Sequence, residues 1–281
     1  MTLSPAQLEH AAELMAGADA LVIAAGAGIG VDSGLPDFRG KDGFWKAYPA
    51  LGREQVDFHR IACPDAFCTE PNRAWGFYGH RLSLYRATQP HEGFQILKRW
   101  GEMMPLGCSV FTSNVDGQFQ KAGFDQAHIE ECHGSIHYLQ CLKLCCNATW
   151  TADEFVPEVD VEQCLLLNAP ATCPHCGGMA RPNVLMFMDF EWLEHRAAEQ
   201  AARLERWLSN VNRPVVVEIG AGTAIPSVRH FSHRVIHEFG GRLVRINPRE
   251  FSVPTPFDVG LASGAAHTLA EIDRVMHSAC M

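Results

Sequence analysis

Three groups of residues have types and spacings that could do chemistry. Among eleven cysteines, four fall in two close pairs, Cys141-Leu-Lys-Leu-Cys145 and Cys173-Pro-His-Cys176. Two short-spaced thiol pairs separated by a few tens of residues suit a tetrahedral four-sulfur zinc site with no open position, which would be structural and not catalytic. Cys146 is a weaker partner for Cys141, and His175, between two ligands, reads as a bystander. Buried free thiols or a redox Cys-x-x-Cys are the competing readings. The second group is Gly26-Ala27-Gly28, directly after the apolar run Ala20–Ala25. A tight glycine turn at a strand end lets main-chain amides approach a pyrophosphate, although Gly-x-Gly alone is a weak signal. The third is Tyr78 and Arg81, three residues apart and so on one face if that stretch is helical. A guanidinium there could take a carboxylate and the phenol could add a hydrogen bond; a solvated arginine on an aromatic-rich helix is the plainer reading.

These groups need elements to position them. Ala20–Ala25, Cys108–Thr112, Pro214–Ile219 and Arg242–Ile246 are short apolar runs that predict strands buried on both faces of a parallel sheet. Glu191–Leu208 predicts a helix on that sheet, and Met1–Gly17 an amphipathic one. The expected fold is α/β, a Rossmann-like parallel sheet with helices on both faces plus a small zinc-binding module and a helical insertion. The expected divisions are 1–42, 91–131 and 183–281 for the sheet domain, 43–90 for the helical insertion and 132–182 for the zinc module.

Bulk properties narrow the class. The chain has 281 residues, is 47% apolar and carries a net charge of −9 with a pI near 5.8. That favours a large core and disfavours direct binding to nucleic acid or an anionic membrane. No signal peptide or membrane span is evident, so a soluble, cytoplasmic protein is expected; the oligomeric state is not legible.

Gly26-Ala-Gly-Ile-Gly-Val-Asp-Ser-Gly-Leu-Pro-Asp-Phe-Arg39 resembles the sirtuin signature, with Gly30 where the family has serine. Further matches follow in family order: Thr112-Ser113-Asn114-Val115-Asp116 with Ala122-Gly123, then His133-Gly134. The two cysteine pairs come next, then Arg181-Pro-Asn-Val leading to Phe187-Met188-Asp189, and finally Gly222-Thr223 and Ile246-Asn247. The resemblance spans nearly the whole chain. It implies that NAD is a co-substrate, that the nicotinamide–ribose bond is cleaved, and that an acyl-lysine protein or peptide is the acceptor. It implies cofactor contacts from Gly26, Ala27, Gly28, Ile29, Asp37, Phe38, Arg39, Ser113, Asn114, Asp116, His133, Gly222, Thr223 and Asn247. Asn114 and His133 are then the catalytic candidates, His133 as base, because imidazole titrates near neutrality. Cys132 beside it would point the other way on an extended segment, so a thiol–imidazole pair is disfavoured. Tyr78, Arg81, Phe187, Met188 and Asp189 would meet the acyl-lysine substrate. Tyr-x-x-Arg is similar to the pattern of sirtuins that remove succinyl, malonyl or glutaryl groups.

The match departs at three places. Ser113 replaces glutamine, Met188 replaces the glycine of Phe-Gly-Glu, and Gly222-Thr-Ala-Ile-Pro-Ser-Val-Arg229 differs from Gly-Thr-Ser-Leu-x-Val-x-Pro. Pro226 has no N–H, so a peptide strand could not pair there in the usual way. These departures keep two alternatives open, a mono-ADP-ribosyltransferase or NAD hydrolase on the same scaffold, and a non-catalytic NAD-binding subunit.

Overall fold

Burial decides the sheet. A computed structural model of the protein describes residues 3–36 and 40–278. In it, the four apolar runs are strands with the bounds expected from sequence: β1 (Ala20–Ala25), β2 (Cys108–Thr112), β9 (Pro214–Ile219) and β10 (Arg242–Ile246). Every residue of β1 and β9 is buried. With β3 (Ile129–Glu131) and β11 (Val259–Leu261), they form one six-stranded sheet in the order β11-β10-β9-β1-β2-β3. All five pairings are parallel. The chain builds outward from β1 to β3, then crosses to lay β9 on the other side of β1. This is the doubly wound order, which opens a crevice at the carboxyl ends of β1 and β9.

Helices cover both faces. α1 (Pro5–Ala16), α7 (Glu92–Met103) and α11 (Ala265–Ser278) supply one apolar layer, with Trp100, Phe94 and Leu269 in its core. α9 (His195–Leu208) and α10 (Ser227–Glu238) supply the other, where Phe111 and Phe231 stack at 4.0 Å. α1 begins at Pro5 because proline at the first helical position needs no N–H partner. α9 starts four residues later than its composition predicts. The side chains of Gln140 and Asn183 take the main-chain N–H and C=O of Leu193, which ties down residues 191–194 as a loop.

Two further stretches form a second lobe. One part is a run of short helices, α2 (Gly40–Ala47), α3 (Pro49–Arg53), α4 (Phe58–Ile61), α5 (Pro64–Thr69) and the long α6 (Pro71–Ala87). The other is antiparallel: β4 (Gly134–Cys141) lies between β5 (Thr149–Thr151) and β8 (Ala180–Val184), and β6 (Val159–Asp160) pairs with β7 (Leu165–Leu166). A single short helix, α8 (Gln118–Lys121), follows β2. The helical and antiparallel parts share one core. Phe44, Phe67, Trp75, Phe77 and Tyr78 pack with Ile136, Leu139, Leu166, Ala180 and Val184. The Trp75 indole N–H also donates to the Ala180 carbonyl at 3.2 Å. Among the described residues no helix is long and apolar enough to cross a membrane.

Candidate active site

The floor of the site is two glycine turns in contact. Gly26 follows β1 and Gly220 follows β9, and the two ends are tied by Gly26 N–H to Ile219 O at 2.9 Å and Gly28 N–H to Gly220 O at 3.1 Å. A Cβ on Gly26 would stand 2.8 Å from the Ala221 α-carbon, and one on Gly220 would stand 2.4 Å from that of Gly28. Gly220 also has φ +63, a backbone that a side chain strains. Glycine is therefore required at both turns, and its absence of a side chain leaves main chain facing the crevice.

Above these turns lies a cleft of about 910 Å³. Gly26, Ala27, Ser113, Asn114, Asp116, His133, Gly222 and Thr223 line it. Asn114 is set by Thr112, whose Oγ1 accepts its main-chain N–H, and its own Nδ2 donates to Gly26 O at 3.2 Å. Asp116 is 9% exposed, accepts the Gln118 N–H at 3.0 Å, and is pushed up to about 6 by burial, against that hydrogen bond. Such a carboxyl changes charge close to neutrality. Its main-chain oxygen receives the His137 Nε2 at 2.9 Å, which anchors the loop to β4. His133 immediately precedes β4. Burial holds its imidazole below the ordinary value, with a hydrogen bond to the Ser113 main chain opposing the drop. It is therefore neutral and basic-ready at pH 7. Cys132 beside it is pushed well up by burial and by Glu130, so it is a protonated thiol.

The far end of the cleft belongs to the second lobe. Phe58 and His59 of α4 meet Phe187, with ring centroids 5.6 and 4.1 Å apart. Tyr78, Arg81 and Tyr85 of α6 also line the cleft. Arg81 Nε donates to the Tyr85 hydroxyl at 2.9 Å, and its guanidinium lies 5.2 to 5.8 Å from the rings of Phe77, Tyr78 and Tyr85. Burial pulls the Arg81 pKa down, but the surrounding phenols outweigh it and the net direction is up. A buried, charged guanidinium thus borders this end.

The cysteine pairs converge away from the cleft. The four sulfurs of Cys141, Cys145, Cys173 and Cys176 lie within 4.8 Å of one another. The Cys141–Cys176 and Cys145–Cys173 separations are 3.8 and 3.5 Å. Zinc–sulfur bonds of about 2.3 Å in a tetrahedron put sulfurs about 3.8 Å apart, so the four thiolates fit a structural zinc. Gly177, at φ +69, and the Cys173 N–H to Gly178 O bond form the knuckle turn.

Other sequence candidates fall elsewhere. The Ile29 side chain is buried in the sheet core, and its carbonyl accepts from His91. Asn247 is 1% exposed; its Nδ2 donates to Ala221 O and its Oδ1 accepts from Arg249 and Glu250, so it shapes the loop that carries those two cleft residues. Met188 is 79% exposed with φ +54 and stands outside the cleft lining. Asp189 is also outside it, and its carboxylate makes two 2.8 Å bonds to buried Arg181. That pair fixes the turn after β8. Asp37, Phe38 and Arg39 lie outside the described residues. Sequence reasoning missed Tyr85, Asp57, His59, Arg249 and Glu250, all in the cleft wall. It also missed Gly220, although a glycine directly after an apolar strand is the signal that revealed Gly26.

Fold and site together define a dinucleotide-binding α/β protein with a cysteine-clamped second lobe. The Sir2 family profile matches residues 26–209, and the chain belongs to that family. Among its relatives, an NAD-dependent protein deacylase 2 of Pyrobaculum aerophilum is 29% identical over 263 residues, 94% of this chain and 93% of that protein. An NAD-dependent protein deacylase of Aquifex aeolicus is 29% identical over 252 residues, covering 90% and 93%. A Sir2 homolog–NAD complex superposes with TM-score 0.69 at 25% identity over 97% of this chain and 95% of that one. A Sir2 homologue mutant bound to 2′-O-acetyl ADP ribose gives TM-score 0.68 at 26% identity, covering 96% of each.

Proposed function

We propose that the protein is an NAD-dependent protein-lysine deacylase that releases nicotinamide and O-acyl-ADP-ribose. The observation that carries this is one continuous cleft, with the glycine turns, Asn114, Asp116 and His133 along one stretch and the apolar α4–α6 wall with Phe187 along the other. NAD supplies the ribose carbon and the departing nicotinamide, and the acyl-lysine amide oxygen is the acceptor. Gly26, Ala27, Gly222 and Thr223 receive the dinucleotide, while Asn114 and Asp116 orient its nicotinamide and ribose end. His133, neutral and half-buried, takes a proton from a ribose hydroxyl, and the apolar wall excludes water so that the amide oxygen is the only nucleophile at hand.

Arg81 favours a finer reading, that the acyl group is acidic. A charged guanidinium set among the rings of Phe77, Tyr78 and Tyr85 suits a succinyl or malonyl carboxylate.

The test is nicotinamide release with NAD and acetyl-, succinyl- or malonyl-lysine peptides. Release is expected only with peptide, and His133→Ala should lower it by about 10²–10⁴-fold. Arg81→Met should lower succinyl-peptide turnover more than acetyl-peptide turnover. Release without any peptide would favour NAD hydrolysis or ADP-ribosyl transfer instead.

A further inference from the structure

One polar contact to the His133 ring comes from a position where the sirtuin motif differs from this chain. Ser227, the first residue of α10, holds its Oγ 3.2 Å from His133 Nε2. In the motif Gly-Thr-Ser-Leu-x-Val-x-Pro, that position is valine, which can make no such bond. The Ser113 main chain favours the protonated form of the ring, as a carbonyl does toward a ring N–H. A neutral imidazole has a single N–H. In the tautomer with that hydrogen on Nδ1, Nε2 presents a lone pair to which the Ser227 hydroxyl can donate.

We propose that Ser227 is a positioning residue that follows the His133 proton, donating to Nε2 in the resting enzyme and accepting from it once Nε2 is protonated. The role in turnover rests on the reading of His133 as the base. A hydroxyl is suited to this because it is donor and acceptor and needs only to rotate. Nε2 has one lone pair, so the Ser227 O–H first rotates away from it; a ribose hydroxyl then delivers its proton to Nε2, its O–H bond breaks with the electron pair left on the ribose oxygen, and the N–H bond forms. The Ser227 oxygen then receives that N–H, and the imidazolium keeps a partner on each nitrogen. A bond to the charged ring is stronger than one to the neutral ring, so Ser227 raises the proton affinity that burial depresses. Pro226 caps α10 just before it and fixes where the helix begins.

Among the described residues, the charged and titratable groups sharing the cleft with His133 are Asp116 after β2, Asp57 and His59 at α4, Tyr78, Arg81 and Tyr85 on α6, and Arg249 and Glu250 after β10. Cys132, on His133's own segment, is a neutral thiol. Substitution of Ser227 leaves all of these in place, so a change in His133 titration belongs to the hydroxyl.

The test is an NMR titration of the His133 ring in the ligand-free protein, its signal assigned by its loss in His133→Ala. Ser227→Ala and Ser227→Val should each lower the His133 pKa by about half a unit, and Ser227→Thr should restore it. With NAD and acyl peptide, Ser227→Val should lower kcat about tenfold with KM for NAD within about twofold. An unchanged titration in both Ala and Val variants, or a raised pKa, overturns the proposal. Because the titration needs no turnover, a shifted pKa in a protein that releases no nicotinamide supports the Ser227 pairing while overturning the deacylase reading.

Discussion

The parallel sheet and the second lobe reach stability by opposite routes. β1 and β9 are contiguous, largely apolar runs with a partner strand on each side, so their burial follows directly from local sequence. The second lobe joins two distant segments, the α2–α6 helices and the β4–β8 region, through an aromatic core, and four sulfurs clamp the β4–β8 region on itself. The first region would survive loss of any one anchor better than the second. The cleft is built where they meet, so it depends on the weaker partner.

Removal of zinc breaks this comparison most sharply. Chelation, or Cys173→Ser, should open the β4–β8 region to protease and lower deacylation at least about 100-fold, because structural zinc supplies much of a small module's folding free energy. The sheet should keep its slow-exchanging amides; simultaneous loss of protection in β1 and β9 would show that the two regions are one cooperative unit. Trp75→Ala comes next. Trp75 is fully buried and bonds Ala180 across the two segments of the lobe, so its truncation should cost about 3–5 kcal/mol, read by denaturant unfolding. Asp116→Asn gives the smallest effect and the opposite sign. Asp116 goes from 3.8 to about 6 in the folded protein, so the folded state holds the extra proton between those values. Stability then falls as pH rises through that window and stays low above it. The amide variant should therefore be about 2–3 kcal/mol more stable at pH 7, with the gain vanishing below about pH 4 and nicotinamide release reduced. Thermal melts from pH 4 to 8 read this directly.

Legibility in the sequence follows the same division. β1, β2, β9 and β10 were readable to the residue because a strand buried on both faces reads as a near-continuous apolar run, with only Ser109, Thr112, Glu218, Arg242 and Arg245 polar among them. The Cys141/Cys145 and Cys173/Cys176 pairs were readable from spacing alone. The sharing of one core by the helical excursion and the cysteine region was not, since nothing local to Trp75 announces Ala180 as its partner. Asp189 misled because a motif position does not reveal that Arg181 lies opposite it. His59, Tyr85 and Arg249 were silent for a related reason: they enter the cleft through the packing of α4, α6 and the loop after β10, which no window of sequence contains.

The touching turns at Gly26 and Gly220 also constrain how this protein can change. Each position already has the smallest side chain available, so a substitution at one has no compensating reduction at the other. The pair is a dead end in mutational space. Selection acting on dinucleotide affinity must therefore work through the movable parts of the cleft, such as Thr223, Arg249 and Glu250, and leave the floor untouched.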